Sequence, residues 1–463
     1  MVIASQTTHF ELTLEKAELE GFRADLRGKL LRPGEEGYDS SRRIFNAMID
    51  RHPALIVKCA CVSDVIKAVN FARKHDLLVS VKGGGHNVAG NAVCDGGMMI
   101  DLTNMKSIRV DPRNRTARAE PGVTWGEFDI ETQAFGLATT GGQVSTTGIA
   151  GFTLGGGHGW LMGLYGRACD NMVSADVVTA DGRLLVASPV ENQDLYWGLR
   201  GGGGNFGIVT SFEFALHPIS RVLGGILVHP LERAKQVIGL FKELGDNGPP
   251  ELGLMTVLTT LVDGKRVAIL EPCYAGSIEA GERLLVQARR FGPPELDLVK
   301  EMSYVDFQKL MDLYAPWGMH HYWKSGFLEN LSDGAMDVIV EFAKSAPSNL
   351  SQIHLERHHH KACTIDPSET AFFHRGGGRV MYNLMIISSW RDPSESEVNL
   401  EWTRRFWESI RPFMSERVYV NFLSQEGDER VRAAYGGNYA RLVALKRKYD
   451  PTNFFRMNQN IRP

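Results

Sequence analysis

Val79-Ser80-Val81-Lys82-Gly83-Gly84-Gly85-His86-Asn87-Val88-Ala89-Gly90 sets a histidine directly behind three glycines. Leu77 to Val81 reads as a strand leading into the glycine turn. Adjacent glycines let the backbone take positive φ and come close to a ligand, with no Cβ in the way. Consecutive N–H groups in such a turn form a concave anion site suited to a pyrophosphate. His86 adds a nucleophilic nitrogen that stays uncharged near neutral pH. Cradle and nucleophile together predict a bulky, phosphate-bearing cofactor held covalently.

The same residue type recurs farther out. The 49 glycines of this 463-residue chain cluster at 83–97, 141–166 and 201–207, and no low-complexity repeat accounts for them. Several backbone segments are therefore expected to approach one ligand. Gly155-Gly156-Gly157-His158-Gly159-Trp160 follows the small-residue run Ser145 to Gly151. Alone it reads as a packing loop. Its being the second such loop, just after Gly141-Gly142, favours a ligand. Gly202-x-Gly204-x-x-Gly207 matches the dinucleotide fingerprint, but a strand from Ile208 follows where that fingerprint requires a helix. A tight glycine turn against another part of the ligand is the better reading.

Length predicts two or three domains. Hydrophobic residues at 43%, charged residues at 23% and a net charge of −3 describe a globular chain without the electrostatic footprint of a nucleic-acid binder. No apolar run approaches a membrane span. Met1 to Glu20 lacks the apolar core of a signal peptide, which points to the cytoplasm. The six cysteines are scattered without a CxxC pair or disulfide spacing, so reduced, buried thiols are expected.

Local patterns predict an α+β fold. Ser63 is a suitable N-cap for a helix with Val65, Ile66, Val69 and Ala72 on one face. Ile108 to Ala119 and Val177 to Ala187 read as hairpins, turning at Asp111-Pro112-Arg113-Asn114 and Asp181-Gly182. Thr124-Trp125-Gly126-Glu127 has capping-box spacing. After His217-Pro218 the glycine clusters stop, and helices (232–244, 277–291) alternate with strands (254–261, 266–272). Three regions are expected: 1–215, a middle region 216–415 of one antiparallel sheet covered by helices, and a segment 416–463. Tyr435 to Tyr449 reads as one amphipathic helix, stopped by Asp450-Pro451.

Three further patterns bear on chemistry. In Ile353-His354-Leu355-Glu356 the alternation puts His354 and Glu356 on one face of a strand, either an acid/base pair toward a pocket or a solvent-facing edge. Tyr419-Val420-Asn421 likewise puts Tyr419 and Asn421 together, which by itself suggests a core hydrogen bond. His358-His359-His360 cannot aim all three rings at one ion from a single strand, and no carboxylate or cysteine stands beside them at a zinc spacing. A solvated patch, and no metal, is expected there.

Read together, these segments resemble the berberine-bridge-enzyme-like flavoproteins, which have the vanillyl-alcohol-oxidase type of FAD fold. The markers are Lys82 to His86, Gly155-Gly156-Gly157-x-Gly159, Asp170-Asn171 with Val178 to Gly182, Asp194 to Gly207, Tyr419-x-Asn421 and Tyr435 to Ile461. Their order covers nearly the whole chain and resembles bacterial secondary-metabolism oxidases more than the plant enzymes. The resemblance implies a two-lobed FAD-binding domain, 1–215 with 416–463, and an inserted substrate domain that roofs the flavin. It implies a flavin 8α-bond from His86 and cofactor contacts from Lys82, Gly83, Gly84, Gly85, Asn87, Gly90, Val144, Thr147, Gly148, Gly151, Gly155, Gly156, Gly157, Gly159, Gly207, Ile208, Val209, Asn421, Asn458 and Asn460. Many members bond the flavin a second time through a cysteine at the position of Val144; valine has no nucleophile, so one covalent link is expected. Thr147, close to valine in volume at the family's oxygen gate, favours an oxidase. Tyr419 is the first candidate base, with His354 or Glu356 as helper or substitute, and Tyr304, Tyr314, Trp317, Tyr322 and Trp323 are candidates for the pocket wall. The reading is a monomeric or homodimeric FAD oxidase that passes hydride from a small aromatic or polycyclic alcohol, amine or phenol to flavin N5, and electrons to molecular oxygen. Its rivals are a sugar oxidase, a flavin-binding protein with little turnover, and a metal-dependent enzyme.

Overall fold

The computed structural model describes residues 15–328 and 330–463; most of the Met1 to Glu20 stretch, read above for a leader, lies outside them. Among the described residues no helix is long and apolar enough to cross a membrane. The first sheet runs Lys29–Leu31, Leu55–Lys58, Met98–Asp101, Val79–Lys82, with the last three strands parallel. Parallel pairing needs a crossover, supplied here by the helix Val62–Lys74, whose Val65, Ala68, Val69 and Ala72 are buried. That helix starts one residue before Ser63, and no side chain caps it. Asp64, fully buried, instead accepts N–H bonds from Arg27, Gly28 and Ala60, each at 2.9 Å, so it ties the preceding loops to the helix start.

A second sheet is wholly antiparallel, in the order Ile108–Asp111, Thr116–Ala119, Ile208–Ala215, Met172–Val178, Leu184–Ala187. Both expected hairpins are present. The Asp111 carboxylate closes the first by accepting from the backbone N–H groups of Arg113 and Asn114 at 3.0 Å. Thr124 and Glu127 form their capping box, the Thr124 N–H donating to Glu127 Oε2 at 2.9 Å.

The third sheet has nine antiparallel strands. Its long path runs from Leu296–Asp297 through Leu227–Pro230, Arg266–Tyr274, Leu252–Thr260, Gln352–His358 and Met381–Trp390 to His320–Leu328. The helices Ala234–Asn247, Ile278–Arg290, Asp333–Lys344 and Ser396–Ile410 contribute to the core on one face. The opposite face looks toward the glycine loops. Sheets and helices together make the mixed α+β architecture that the patterns predict.

Two further local expectations change. Tyr435 to Tyr449 is not one helix but Asp428–Tyr435 and Tyr439–Tyr449, joined by a 3₁₀ turn at Gly436–Asn438. Gly436 takes φ +47°, and both Gly436 and Gly437 lie flat against the Phe373 ring, where a Cβ would not fit. Residues Val420–Phe422 form a 3₁₀ turn rather than a strand.

One buried cation ties the final segment to the turn that precedes the second sheet's strand Ile208–Ala215. Lys446 Nζ, fully buried, donates to Asn205 O (2.9 Å), Phe455 O (2.9 Å) and Asp450 Oδ2 (2.6 Å). Asp450, equally buried, accepts the N–H groups of Phe454 and Phe455. Lys446→Ala strands a buried carboxylate, and the expected loss is about 3–5 kcal/mol. Urea unfolding of both proteins checks it.

Candidate active site

Loops from all parts of the chain close round one cavity of about 350 Å³. The strand Val79–Lys82 delivers Gly83, Gly84, Gly85, His86 and Asn87 to its wall. Val144, Thr147, Gly148, Gly151 and Gly155 come from the second loop and its short helix Ile149–Leu154. Gly207, Ile208 and Val209 close the floor with Asn458 of the returning tail. The nine-stranded sheet contributes His321, Trp323, Gln352, His354, Glu356 and Ser389, and Tyr419 and Asn421 stand between roof and floor.

Six of the residues expected at the cofactor stand behind this wall instead. Lys82 turns away, its Nζ donating to Ser41 O (2.8 Å) and Arg43 O (2.7 Å). Gly90 packs under Ile49, Gly156 under Phe372, and Gly159 against Gly141 O. Gly157 uses its N–H to hold Tyr419, and Asn460 lies outside the lining with a buried, unpartnered Oδ1. Of the aromatic candidates, Tyr314 and Trp323 line the cavity; Tyr304 is core, while Tyr322 and Trp317 lie off the lining. Sequence reasoning missed Phe45, His158, His321 and Gln352. His158 was visible inside its glycine loop, but the other three are joined only by folding.

The cavity suits a large ligand with a phosphate-bearing part. A Cβ on Gly151 or Gly204 would meet nothing within 4 Å, so both glycines leave open space where a ligand can lie on backbone. Among the described residues no lysine or arginine lines the cavity, and Glu356 is the one carboxyl side chain there. A pyrophosphate would be met by backbone N–H groups. His86 is a neutral ring, since burial lowers its pKa to about 4, and its Nε2 is buried without a partner.

The roof holds a histidine of defined tautomer. Gln352 Nε2 donates to Tyr314 O at 2.8 Å, which leaves Gln352 Oε1 to accept from His354 Nε2 at 2.7 Å. The ring proton therefore sits on Nε2, and Nδ1 keeps its lone pair on a ring that lines the cavity. Burial lowers the His354 pKa to about 4.

Tyr419 differs. Its hydroxyl oxygen already accepts from Gly157 N–H (3.0 Å) and Asn421 Nδ2 (2.8 Å), and burial raises its pKa well above that of a free phenol. With both acceptor positions taken, its own O–H is what remains to offer. Asn421 reaches it across Gly155, where a Cβ would collide with the amide.

His158 stacks on the Tyr419 ring, centroids 3.6 Å apart, and meets His358 edge-on at 4.0 Å. His358 and His359 are fully buried, which corrects the solvated patch; only His360 reaches solvent. Folding carries Arg167 and Gly163 over the run, and neither is near it in sequence. His158, Glu356 and His358 bring possible metal-ligating atoms within 4.8 Å of one another. Arg167 decides against that use. Its Nη2 lies 3.3 Å from His358 Nδ1, and arginine can only donate. The His358 proton is thus on Nε2, facing Glu356 Oε2 at 3.7 Å, with no lone pair for an ion there. Asn383 Nδ2 also donates to Glu356 Oε2, at 3.1 Å.

This geometry has known counterparts. A family model for an FAD binding domain matches residues 53–188, and one described as "Berberine and berberine like" matches 418–462. An FAD-linked oxidoreductase of Dictyostelium discoideum is 31% identical over 96% of this chain and 96% of its own length. The (R)-6-hydroxynicotine oxidase of Paenarthrobacter nicotinovorans is 30% identical over 95% of this chain and 97% of its own. A crystal structure of 6-hydroxy-D-nicotine oxidase from Arthrobacter nicotinovorans superposes with TM-score 0.86 at 27% identity, covering 95% of this chain and 98% of that one. The chain belongs to the berberine-bridge-enzyme-like family of FAD-linked oxidoreductases. It is an FAD-dependent oxidoreductase.

One carboxyl on the cavity side of the roof marks how dry that face is. Glu271 lies opposite Met255, which in turn lies opposite Glu356, so the three share one face of the sheet. Glu271 is 1% exposed, neither of its oxygens has a partner, and burial pushes its pKa up to about 8. In the unfolded chain it ionises near 4.5. Between these values the folded protein holds a proton that the unfolded chain has lost, so this group makes stability fall as pH rises, by up to about 1.4 kcal/mol per pH unit. Glu271→Gln removes that slope. Its stability relative to the parent should climb across the window from pH 4.5 to pH 8 and level off above it, as read by urea unfolding at several pH values.

Proposed function

We propose that this protein is an FAD oxidase with its flavin held by one covalent bond, through His86, and that it oxidises a small aromatic or polycyclic alcohol, amine or phenol. Held by His86 and the glycine loops, an FAD would supply a hydride acceptor for the substrate C–H that dioxygen can reoxidise, with release of hydrogen peroxide. Several features support this reading. Val144 lines the cavity where a second tether would need a nucleophile. Tyr314, Trp323 and Phe422 provide flat apolar walls, and among the described residues no lysine or arginine lines the cavity to bind a carboxylate substrate. The oxidation of a hydroxynicotine by similar proteins fits an aromatic amine.

The observation that carries the mechanism is the fixed tautomer of His354. A hydride donor must lose a proton from its O–H or N–H, and the receiving group must offer a lone pair within reach. His354 Nδ1 is such a group, oriented through Gln352 by the Tyr314 carbonyl. We place it ahead of Tyr419, whose oxygen is already committed to two donors and whose O–H can orient the substrate instead. Glu356 lines the cavity on the same face as His354 and accepts from Asn383 Nδ2 at 3.1 Å.

Acid precipitation with a flavin fluorescence scan and peptide mapping tests the tether; colour that washes out, or a link elsewhere than His86, overturns it. A panel of aromatic alcohols, amines and phenols, followed by anaerobic flavin bleaching and peroxide release, identifies a substrate. With that substrate, His354→Gln should slow flavin reduction by about 10²–10⁴-fold and Tyr419→Phe by much less. The acid limb of kcat/KM should lie near pH 4, where His354 gains its proton. Equal loss in the two variants would return Tyr419 to the role of base.

A further inference from the structure

Phe45 is fully buried between two imidazoles from distant parts of the chain. His86 stacks on one face at 4.0 Å and 15°, and His321 on the other at 4.4 Å and 10°. Trp317 and Trp323 close its edge. The neighbouring Asn46 sews the same three segments together. Its Nδ2 donates to Val88 O (2.9 Å) and His321 O (3.0 Å), and its Oδ1 accepts from His321 N (3.0 Å). Phe45 N–H donates to Gly85 O, and Ala47 N–H to Met319 O, both at 2.9 Å.

His86 needs such support. It ends a run of three glycines, the least constrained backbone available, and no hydrogen bond holds its Nε2. Phe45 stacks flat on its ring, and Trp317 meets the ring edge-on at 6.4 Å. Phe45 in turn is flat against His321, the second residue of the strand His320–Leu328 at one end of the roof sheet.

We infer that Phe45, anchored by Asn46, is a positioning residue for flavin attachment, and that attachment therefore requires the roof strand His320–Leu328 to be docked. The inference rests on the reading of His86 as the attachment residue. In that step His86 exchanges its N–H for a bond to the 8α carbon, which gives up one C–H. The electron pair and two protons reduce the ring system, and dioxygen reoxidises it with release of hydrogen peroxide. An imidazole free to turn on its glycine loop would rarely present its lone pair to that carbon, and small errors of placement are costly in rate. A link formed only on a closed roof would also leave no tethered flavin in a half-folded chain.

The test needs no substrate. Full-length protein made in riboflavin-starved cells is mixed with FAD, and acid-stable fluorescence is followed against total bound flavin. Phe45→Leu keeps an apolar filler but removes the flat face. It should bind FAD and attach it at least about tenfold more slowly, whereas Phe45→Tyr, which keeps the plane, should recover most of the rate. If Phe45→Leu takes up no FAD, Asn46→Ala leaves the ring in place and loosens only its anchor, and the same slow attachment is expected. Parental attachment rates in both Phe45→Leu and Asn46→Ala, or in Asn46→Ala where Phe45→Leu takes up no FAD, would overturn the inference. Parental protein that releases all its flavin in acid would instead overturn the His86 tether on which it rests.

Discussion

Backbone lies on backbone where the first glycine loop crosses the second. A Cβ on Gly84 would sit 2.5 Å from both the Cα and the N of Gly148, and one on Gly148 would strike Gly84 in return. No other residue type permits that approach, and much else depends on it. It brings the loop after Val79–Lys82 against the N-terminal end of the helix Ile149–Leu154, so that two lobes with separate cores share one cavity floor. Thr124 bridges Gly148 from the far side, and Trp125 N–H donates to Thr147 O at 2.9 Å. The capping box of Thr124 and Glu127 thus does more than start a helix: it steadies the second loop beneath the ligand.

The cavity built on this floor is lined by histidines kept neutral by burial, with His358 packed behind His158. His86, His354 and His321 are lowered to about 4, about 4 and about 3, and His158 and His358 fall well below the ordinary value. A neutral imidazole has one donor and one acceptor nitrogen, so its neighbours settle what it can do. Gln352 takes the proton side of His354 and leaves a lone pair toward the cavity. Arg167 takes the lone-pair side of His358 and leaves a proton toward Glu356. Two histidines four residues apart on one strand consequently present opposite chemistry. Arg167 is itself accommodated by carbonyl oxygens and by the Phe372 face, 4.2 Å from its guanidinium carbon, while the adjacent Asp170 is satisfied by Arg375.

Several features were legible because their cause is local. Alternation puts His354 and Glu356 on one face, and they share it; that this face meets a cavity is decided by the loops packed on it, which the alternation does not contain. The hairpin at Asp111 and the capping box at Thr124 need only residues within three or four positions. The break at Gly436 was not legible, since its reason is a ring, Phe373, more than sixty residues earlier. Nor was the burial of the histidine run, where Gly163 leaves just enough room for the His359 ring.

The sequence by itself determined which chemistry this protein can carry: glycine loops that admit a phosphate-bearing cofactor to the backbone, a nucleophile at the lip of one of them, and the ordered motifs that mark a flavoprotein. These depend on residue type and spacing, which a linear chain states in full. Only the tertiary structure decided how that chemistry is aimed. Phe45, backed by His321, stacks flat on His86, and the tautomer of His354 is set by the Tyr314 carbonyl, contacts that span from about forty to more than two hundred residues. Orientation and proton position are properties of neighbours in space, and folding chooses those neighbours.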